Sequence, residues 1–190
     1  MGQLGTWSGD LASGGSGRPE SLLASGNTAP IFCLPDAEME YFDLAEALSR
    51  KIVVLHFYPR DVMPSSLKQA IAFSEHDQDF AKFGAMVVGI SLDECLTHAD
   101  FRDENGIAME LLSDPEGEVC RLYGVWQDRM ADGFVRPAVH RSTFVIGSDG
   151  VLLLADYNVD LRDHTEKLLE LLKTLPGRKN GNHQEHRRHA

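Results

Sequence analysis

Two short segments of this 190-residue chain carry side chains whose type and placement could do chemistry. In the first, Pro59-Arg60-Asp61-Val62-Met63-Pro64-Ser65-Ser66, an apolar run ends at Tyr58 and a helical pattern begins at Pro64, so Ser66 falls in a first helical turn. Unpaired N–H groups and the positive end of the helix dipole favour an anion at such a turn, and a thiol there would be stabilised as thiolate. This chain has a hydroxyl instead. A serine attacks only with a general base beside it, and Asp61 is the one acid in the segment. As a loop carboxylate, Asp61 is expected to face water or pair with Arg60. Ser66 reads either as a helix-terminal residue hydrogen-bonded to backbone N–H or as an anion contact.

The second segment, Ser91-Leu92-Asp93-Glu94-Cys95, also leads from a strand to a helix start. The dipole favours a thiolate at Cys95, whereas Asp93 and Glu94 place negative charge beside it. A merely exposed thiol is the simpler reading. His98, one turn on, is expected as a solvated surface histidine that could assist Cys95. The three cysteines, Cys33, Cys95 and Cys120, are an odd number with no CxxC, and Cys95 with His98 is the only pair at ligand spacing. Neither a disulfide scaffold nor a zinc ribbon is indicated, and no cofactor or metal is expected. His56, within an apolar run, reads as a packed core residue.

The elements that must position these segments follow from periodicity. Ile52 to Tyr58 and Ala85 to Ser91 are β-branched-rich runs too apolar to have a wet face, as in central strands covered on both sides. Pro64 to Phe83 carries Leu67, Ala70, Ile71, Phe73, Phe80 and Phe83 at helical spacing. Asp93 is expected to cap a second helix reaching Glu104, and Asp114 with Pro115 to start a third that Trp126 ends. Asp163 and Glu166 suggest a capping box for a C-terminal helix burying Leu168, Leu172 and Leu175. Ser142 to Ile146 and Val151 to Tyr157, joined through Gly147-Ser148-Asp149-Gly150, read as an antiparallel hairpin. The expected fold is α/β, a mixed central sheet with helices on both faces, in the order of elements found in thioredoxin-like folds. Both segments above then open at one sheet edge, beyond the carboxyl ends of parallel strands, where ligands gather.

Length and a 43% hydrophobic content fit one domain, with boundaries at 28 and 175. Residues 1–27 form a Gly/Ser-rich arm too poor in apolar surface to order itself, and residues 176–190 a basic tail with three histidines. The formal net charge of −11 disfavours nucleic acid as a partner. No apolar stretch is long enough for a membrane span and no basic, apolar leader opens the chain, so the cytoplasm is the default address.

The segment FYPRDVMPSSLKQAIAF resembles the active-site segment of peroxiredoxins, specifically the bacterioferritin comigratory protein or Q-type group. On the family pattern P-x-x-x-T-x-x-C, Pro59 matches the proline, Met63 stands for the threonine and Ser66 for the peroxidatic cysteine. The similarity runs from APIFCLPD at residue 29, through VVGISLDE and LLSDPEGEVCRLYGVW, to RSTFVIGSDG ending at residue 150. It implies a thioredoxin-like fold and a cysteine thiolate that attacks a hydroperoxide, becomes a sulfenic acid and is restored by a resolving cysteine or an external thioredoxin-like reductant. It also assigns to Arg141 the arginine that steadies thiolate and peroxide; His140, from its place beside Arg141 in the chain, is expected to border the pocket. The resolving positions fall at Ile71 and near Arg102, and Cys120 matches a packing cysteine. Family members occur as monomers and dimers.

With the nucleophile position occupied by Ser66 and the threonine by Met63, the expectation is a site degenerate for thiol peroxidase chemistry that keeps a pocket for a hydroperoxide, a small anion or a partner. Two alternatives stand beside it: a thioredoxin-dependent peroxidase using Cys95 as a relocated nucleophile, and, ranked last, a hydrolytic Ser66.

Overall fold

The computed structural model describes residues 22–131 and 133–175. Two short strands, β1 (Cys33–Pro35) and β2 (Tyr41–Asp43), pair antiparallel and lead into α1 (Leu44–Leu48), whose first N–H groups are capped by Asp43. The sheet core follows: β3 (Ile52–Phe57), α2 (Pro64–Glu75), α3 (Asp77–Lys82), β4 (Ala85–Ser91), α4 (Cys95–Asn105), β5 (Glu110–Ser113) and α5 (Glu118–Leu122). An antiparallel pair, β6 (Trp126–Ala131) and β7 (Phe134–Val139), precedes β8 (Ser142–Ile146), β9 (Leu152–Asp156) and α6 (His164–Thr174).

The central sheet has the order β5-β4-β3-β8-β9, with β3, β4 and β5 parallel and β8 and β9 antiparallel to their neighbours. The expected mixed sheet is found. Alternate residues of β3 serve two cores, as a strand's period of two requires. Val53, Leu55 and Phe57 pack with Leu44, Leu48, Val119 and Tyr123 on one face. Val54 and Tyr58 pack with Phe73, Phe80, Phe101, Leu168 and Leu172 on the other. Because both faces are covered, the two apolar runs need no polar alternation. Trp126 opens β6 instead of ending a helix, with the Arg121 guanidinium stacked 3.9 Å over its ring.

Helix starts differ from expectation in instructive ways. The 64–83 pattern breaks at His76 into α2 and α3. Asp93 does not cap α4: Glu94 occupies that place without a side-chain bond, and Asp93 turns to the neighbouring loop. Asp114 accepts from Glu118 and Cys120 N–H, but the helix begins three residues later, after Gly117. Gly117 has φ +65 and lies so close to the Trp126 ring that a Cβ would overlap it, so only glycine fits. Asp163 adopts left-handed backbone at φ 53 and forms no capping bond, so the capping box is absent. Only at Asp93 do tertiary partners claim the carboxylate.

The arm boundary also moves. Residues 22–27, assigned to the arm, run along β9, with Gly26 N–H on the Leu152 carbonyl at 2.8 Å and Leu152 N–H on the Asn27 carbonyl at 2.9 Å. The sheet edge supplies backbone partners that the segment's composition could not reveal. The rest of the arm and the basic tail lie outside the described residues. Among the described residues, no helix is long and apolar enough to cross a membrane.

Candidate active site

The site forms where β3 ends. Tyr58 N–H still reaches the Ile90 carbonyl at 3.0 Å, and the chain then turns through Pro59. Met63 is extended (φ −78, ψ 129), as a residue before proline prefers, and Pro64 supplies a preset φ at the first position of α2. Ser66 N–H and Leu67 N–H both bond to the Met63 carbonyl, at 2.9 and 3.1 Å. The Ser66 side chain is thereby carried inward and is only 3% exposed.

Arg141, on the link between β7 and β8, meets it there. Its Nη2 donates to Ser66 Oγ at 3.1 Å and to Ser65 Oγ at 3.2 Å, and Nη1 donates to His56 Nε2 at 3.2 Å. The structure thus brings Ser66 to Arg141 rather than to a backbone N–H. Burial draws the Arg141 guanidinium below its ordinary value, and among the described residues no carboxylate forms an ion pair with it. Arginine has five N–H donors in a fixed fork; the three bonds named leave Nε–H and one Nη1 hydrogen without a protein acceptor among the described residues. What results is a half-buried cation with spare donors at a helix start, an arrangement that can hold an anion. Among the described residues no histidine nitrogen or carboxylate oxygen, the base a hydrolytic serine needs, hydrogen-bonds Ser66 Oγ.

Behind Arg141 the hydrogen bonds continue. His56 Nδ1 lies 2.9 Å from Thr143 Oγ1, which lies 3.0 Å from His164 Nε2 at the start of α6. Burial, then the charge of Arg141, holds His56 well below the usual histidine value, and burial holds His164 down to about 4. The reading of His56 as a packed core residue agrees with this; its bond to Arg141, and the roles of Ser65, Thr143 and His164, had no signal in residue spacing.

The other side of the loop corrects three expectations. Asp61 neither faces water nor pairs with Arg60: it is buried, accepting from Tyr58 Oη at 2.7 Å and lying 2.8 Å from His98 Nδ1. His98 is fully buried rather than solvated, with Nε2 3.1 Å from the Leu112 carbonyl, and it turns away from Cys95 toward Asp61. Asp93 receives Asp61 N–H at 2.8 Å, Ser91 Oγ at 2.9 Å and the Arg60 guanidinium at 3.2 Å. Gly89 leaves room for the Tyr58 ring, since a Cβ there would sit 3.0 Å from it and 2.5 Å from Met109 Cε. Burial and Asp61 push the Tyr58 hydroxyl well above its usual range, keeping it a donor.

The remaining assigned residues lie apart. Met63 is 40% exposed and offers no hydrogen bond at the helix start. Cys95 opens α4 half-buried and makes no hydrogen bond or ion pair among the described residues. His140 Nε2 lies 3.3 Å from Asn158 Oδ1. Cys120 is buried, as its packing role requires, and Cys33 is exposed. Arg102 pairs with Glu38 and Asp103.

A five-stranded mixed sheet with this helix start and arginine facing one another defines the thioredoxin-like fold of the peroxiredoxin class, and comparison with solved structures bears this out. A crystal structure described as peroxidoxin BcpB of Mycobacterium tuberculosis superposes with a TM-score of 0.74 at 33% identity, covering 82% of this chain and 99% of that one. A Xanthomonas campestris bacterioferritin comigratory protein, described for its alkyl peroxide reduction activity, matches with a TM-score of 0.69 at 28% identity over 75% of this chain and 90% of its own. A curated M. tuberculosis protein bearing the peroxiredoxin name is 40% identical over 146 residues, 77% of this chain and 92% of that protein. Residues 25–155 match the family described as AhpC/TSA. The chain belongs to the AhpC/TSA family, among the peroxiredoxins of the bacterioferritin comigratory protein type.

Proposed function

We propose that this chain is a peroxiredoxin that has lost thiol peroxidase turnover and uses the Arg141 pocket to hold a small anion or a hydroperoxide. The reading rests on one observation: the group that Arg141 addresses at the start of α2 is the Ser66 hydroxyl. Peroxide reduction needs a nucleophile that is ionised near neutral pH and can carry the transferred oxygen as a sulfenic acid, and a hydroxyl does neither. Met63 adds to this, since a thioether in the threonine position offers no hydroxyl to the pocket. The alkyl peroxide reduction described for the Xanthomonas protein makes hydroperoxides the natural ligand class, with oxyanions of similar size as competitors.

Peroxide consumption with a thioredoxin-regenerating system, for the natural chain and for Ser66→Cys, tests the reading. The natural chain is expected to be inactive and the variant to turn over hydroperoxide. Catalytic turnover by the natural chain overturns it, and loss of that turnover in Cys95→Ser would transfer the chemistry to Cys95.

A further inference from the structure

The Arg141 guanidinium is held at the pocket by a neutral histidine where a carboxylate would be the commoner partner. The contact runs from Nη1 to His56 Nε2 at 3.2 Å. Arginine only donates, so this contact forms only if Nε2 is the unprotonated nitrogen. The hydrogen of a neutral imidazole is then on Nδ1, where Thr143 Oγ1 receives it at 2.9 Å. Thr143 directs its own hydrogen to His164 Nε2, 3.0 Å away. One tautomer and one hydroxyl orientation therefore satisfy all three residues, and these come from β3, β8 and the start of α6. His56, Thr143 and His164 are 1%, 0% and 5% exposed, so water cannot substitute for a missing partner.

We infer that His56, fixed as its Nδ1–H tautomer by Thr143 and His164, is a positioning residue that aims Arg141 at the pocket while leaving its positive charge unneutralised. The inference rests on the reading of the pocket as an anion or hydroperoxide site, and it adds the reason the site stays cationic. A carboxylate in the place of His56 would orient the guanidinium equally well but cancel the charge a ligand needs. The groups facing the imidazole fit this role: Arg141 on one side, Thr143 and His164 on the other, with Tyr58 stacked at 6.0 Å and the Phe73 ring at 5.3 Å. A proton added to His56 would set an N–H against the Arg141 N–H, and burial and the Arg141 charge oppose that addition.

The test uses the full chain in three forms: natural, His56→Gln, which keeps an acceptor for Arg141, and His56→Phe, which keeps the ring and removes the acceptor. Nitrogen-resolved NMR reads the imidazole tautomer from about pH 8 to about pH 5 and the rotation of the Arg141 guanidinium; a sulfate titration reads anion affinity. The expected result is a bare Nε2 throughout, with separate, slowly exchanging Arg141 Nη signals in the natural and His56→Gln chains and averaged signals in His56→Phe. Sulfate should bind about tenfold more weakly to His56→Phe, as loss of a bond to a charged group implies, and within about twofold of the natural chain for His56→Gln.

A protonated Nε2 in the natural chain, or guanidinium signals and sulfate affinity unchanged in His56→Phe, overturns the inference. If the natural chain binds no sulfate, the reading of the pocket falls, while tautomer and guanidinium rotation still decide the positioning role. If His56→Phe does not fold, the natural chain and His56→Gln decide it.

Discussion

Two buried polar networks flank the Pro59–Ser66 loop and handle charge in opposite ways. On one side Tyr58, Asp61 and His98, with Asp93, Ser91 and Arg60, form a closed set in which the two carboxylates collect their donors from within the protein. On the other, Ser66, Arg141, His56, Thr143 and His164 form a row that begins on a cation with spare donors. With Asp61, His98, Ser91 and Asp93 buried and bonded to one another and Arg60 alone reaching solvent, the first set acts as a clamp, tying the loop to α4 and, through the Leu112 carbonyl, to β5. An open row, rigid behind and unpaired in front, is how a binding site is built. The first network ties the loop down; on the proposed reading, the second leaves it open to an anion.

The sharpest way to break this contrast is to remove one member from each. Asp61→Ala strands the Tyr58 hydroxyl and His98 Nδ1 in the interior and should cost about 3 kcal/mol in urea unfolding, as breaking a buried pair does. Arg141→Met leaves His56 Nε2 without its donor and should cost about 1.5 kcal/mol, less than Asp61→Ala, because it strands one acceptor where Asp61→Ala strands two donors. It should also abolish the rise in Tm that sulfate gives the natural chain. Equal stability losses would mean that both networks are structural and the open row is not a site.

Acid offers a second lever. An unfolded histidine titrates near about 6.5, whereas His164 in the fold is held down to about 4. Between these values the unfolded chain binds more protons, so stability rises with pH there and is lost as pH falls from the unfolded value toward the folded one. Removing His164 with His164→Gln should flatten the dependence of unfolding free energy on pH by about 1.4 kcal/mol per pH unit within that window. An unchanged slope would mean that burial does not hold His164 neutral in the fold. The smallest effect belongs to Cys95, which neither network reaches: Cys95→Ser should leave both peroxide consumption and sulfate binding as they are, and any loss of turnover would give that thiol a role.

Much of the fold was legible because burial writes itself into residue pattern. Two runs apolar on both faces announce central strands, and the turn Gly147-Ser148-Asp149-Gly150 announces the β8–β9 hairpin. The motif carried over from the family resemblance put Ser66 and Arg141 at one place, 75 residues apart in the chain and 3.1 Å apart in space. Caps and polar side chains were less legible. Asp61, Asp93, Asp163 and His98 all sit in segments where solvent or a nearby N–H is the expected partner, yet three of them are enclosed by the sheet and α4, and Asp163 caps nothing.

What the amino-acid sequence determined by itself was therefore strands β3, β4, β8 and β9, the helical segments that follow them, and the absence of a thiol where the first turn of α2 meets Arg141. Only the tertiary structure decided which polar groups meet: that His56 and not a carboxylate holds Arg141, and that Asp61 and His98 lock the loop. The reason is that apolar periodicity is a local property, repeated every two or three to four residues. A hydrogen bond depends on directions and distances between residues that, like His56 and Thr143, lie 87 positions apart and meet only when neighbouring strands are in register.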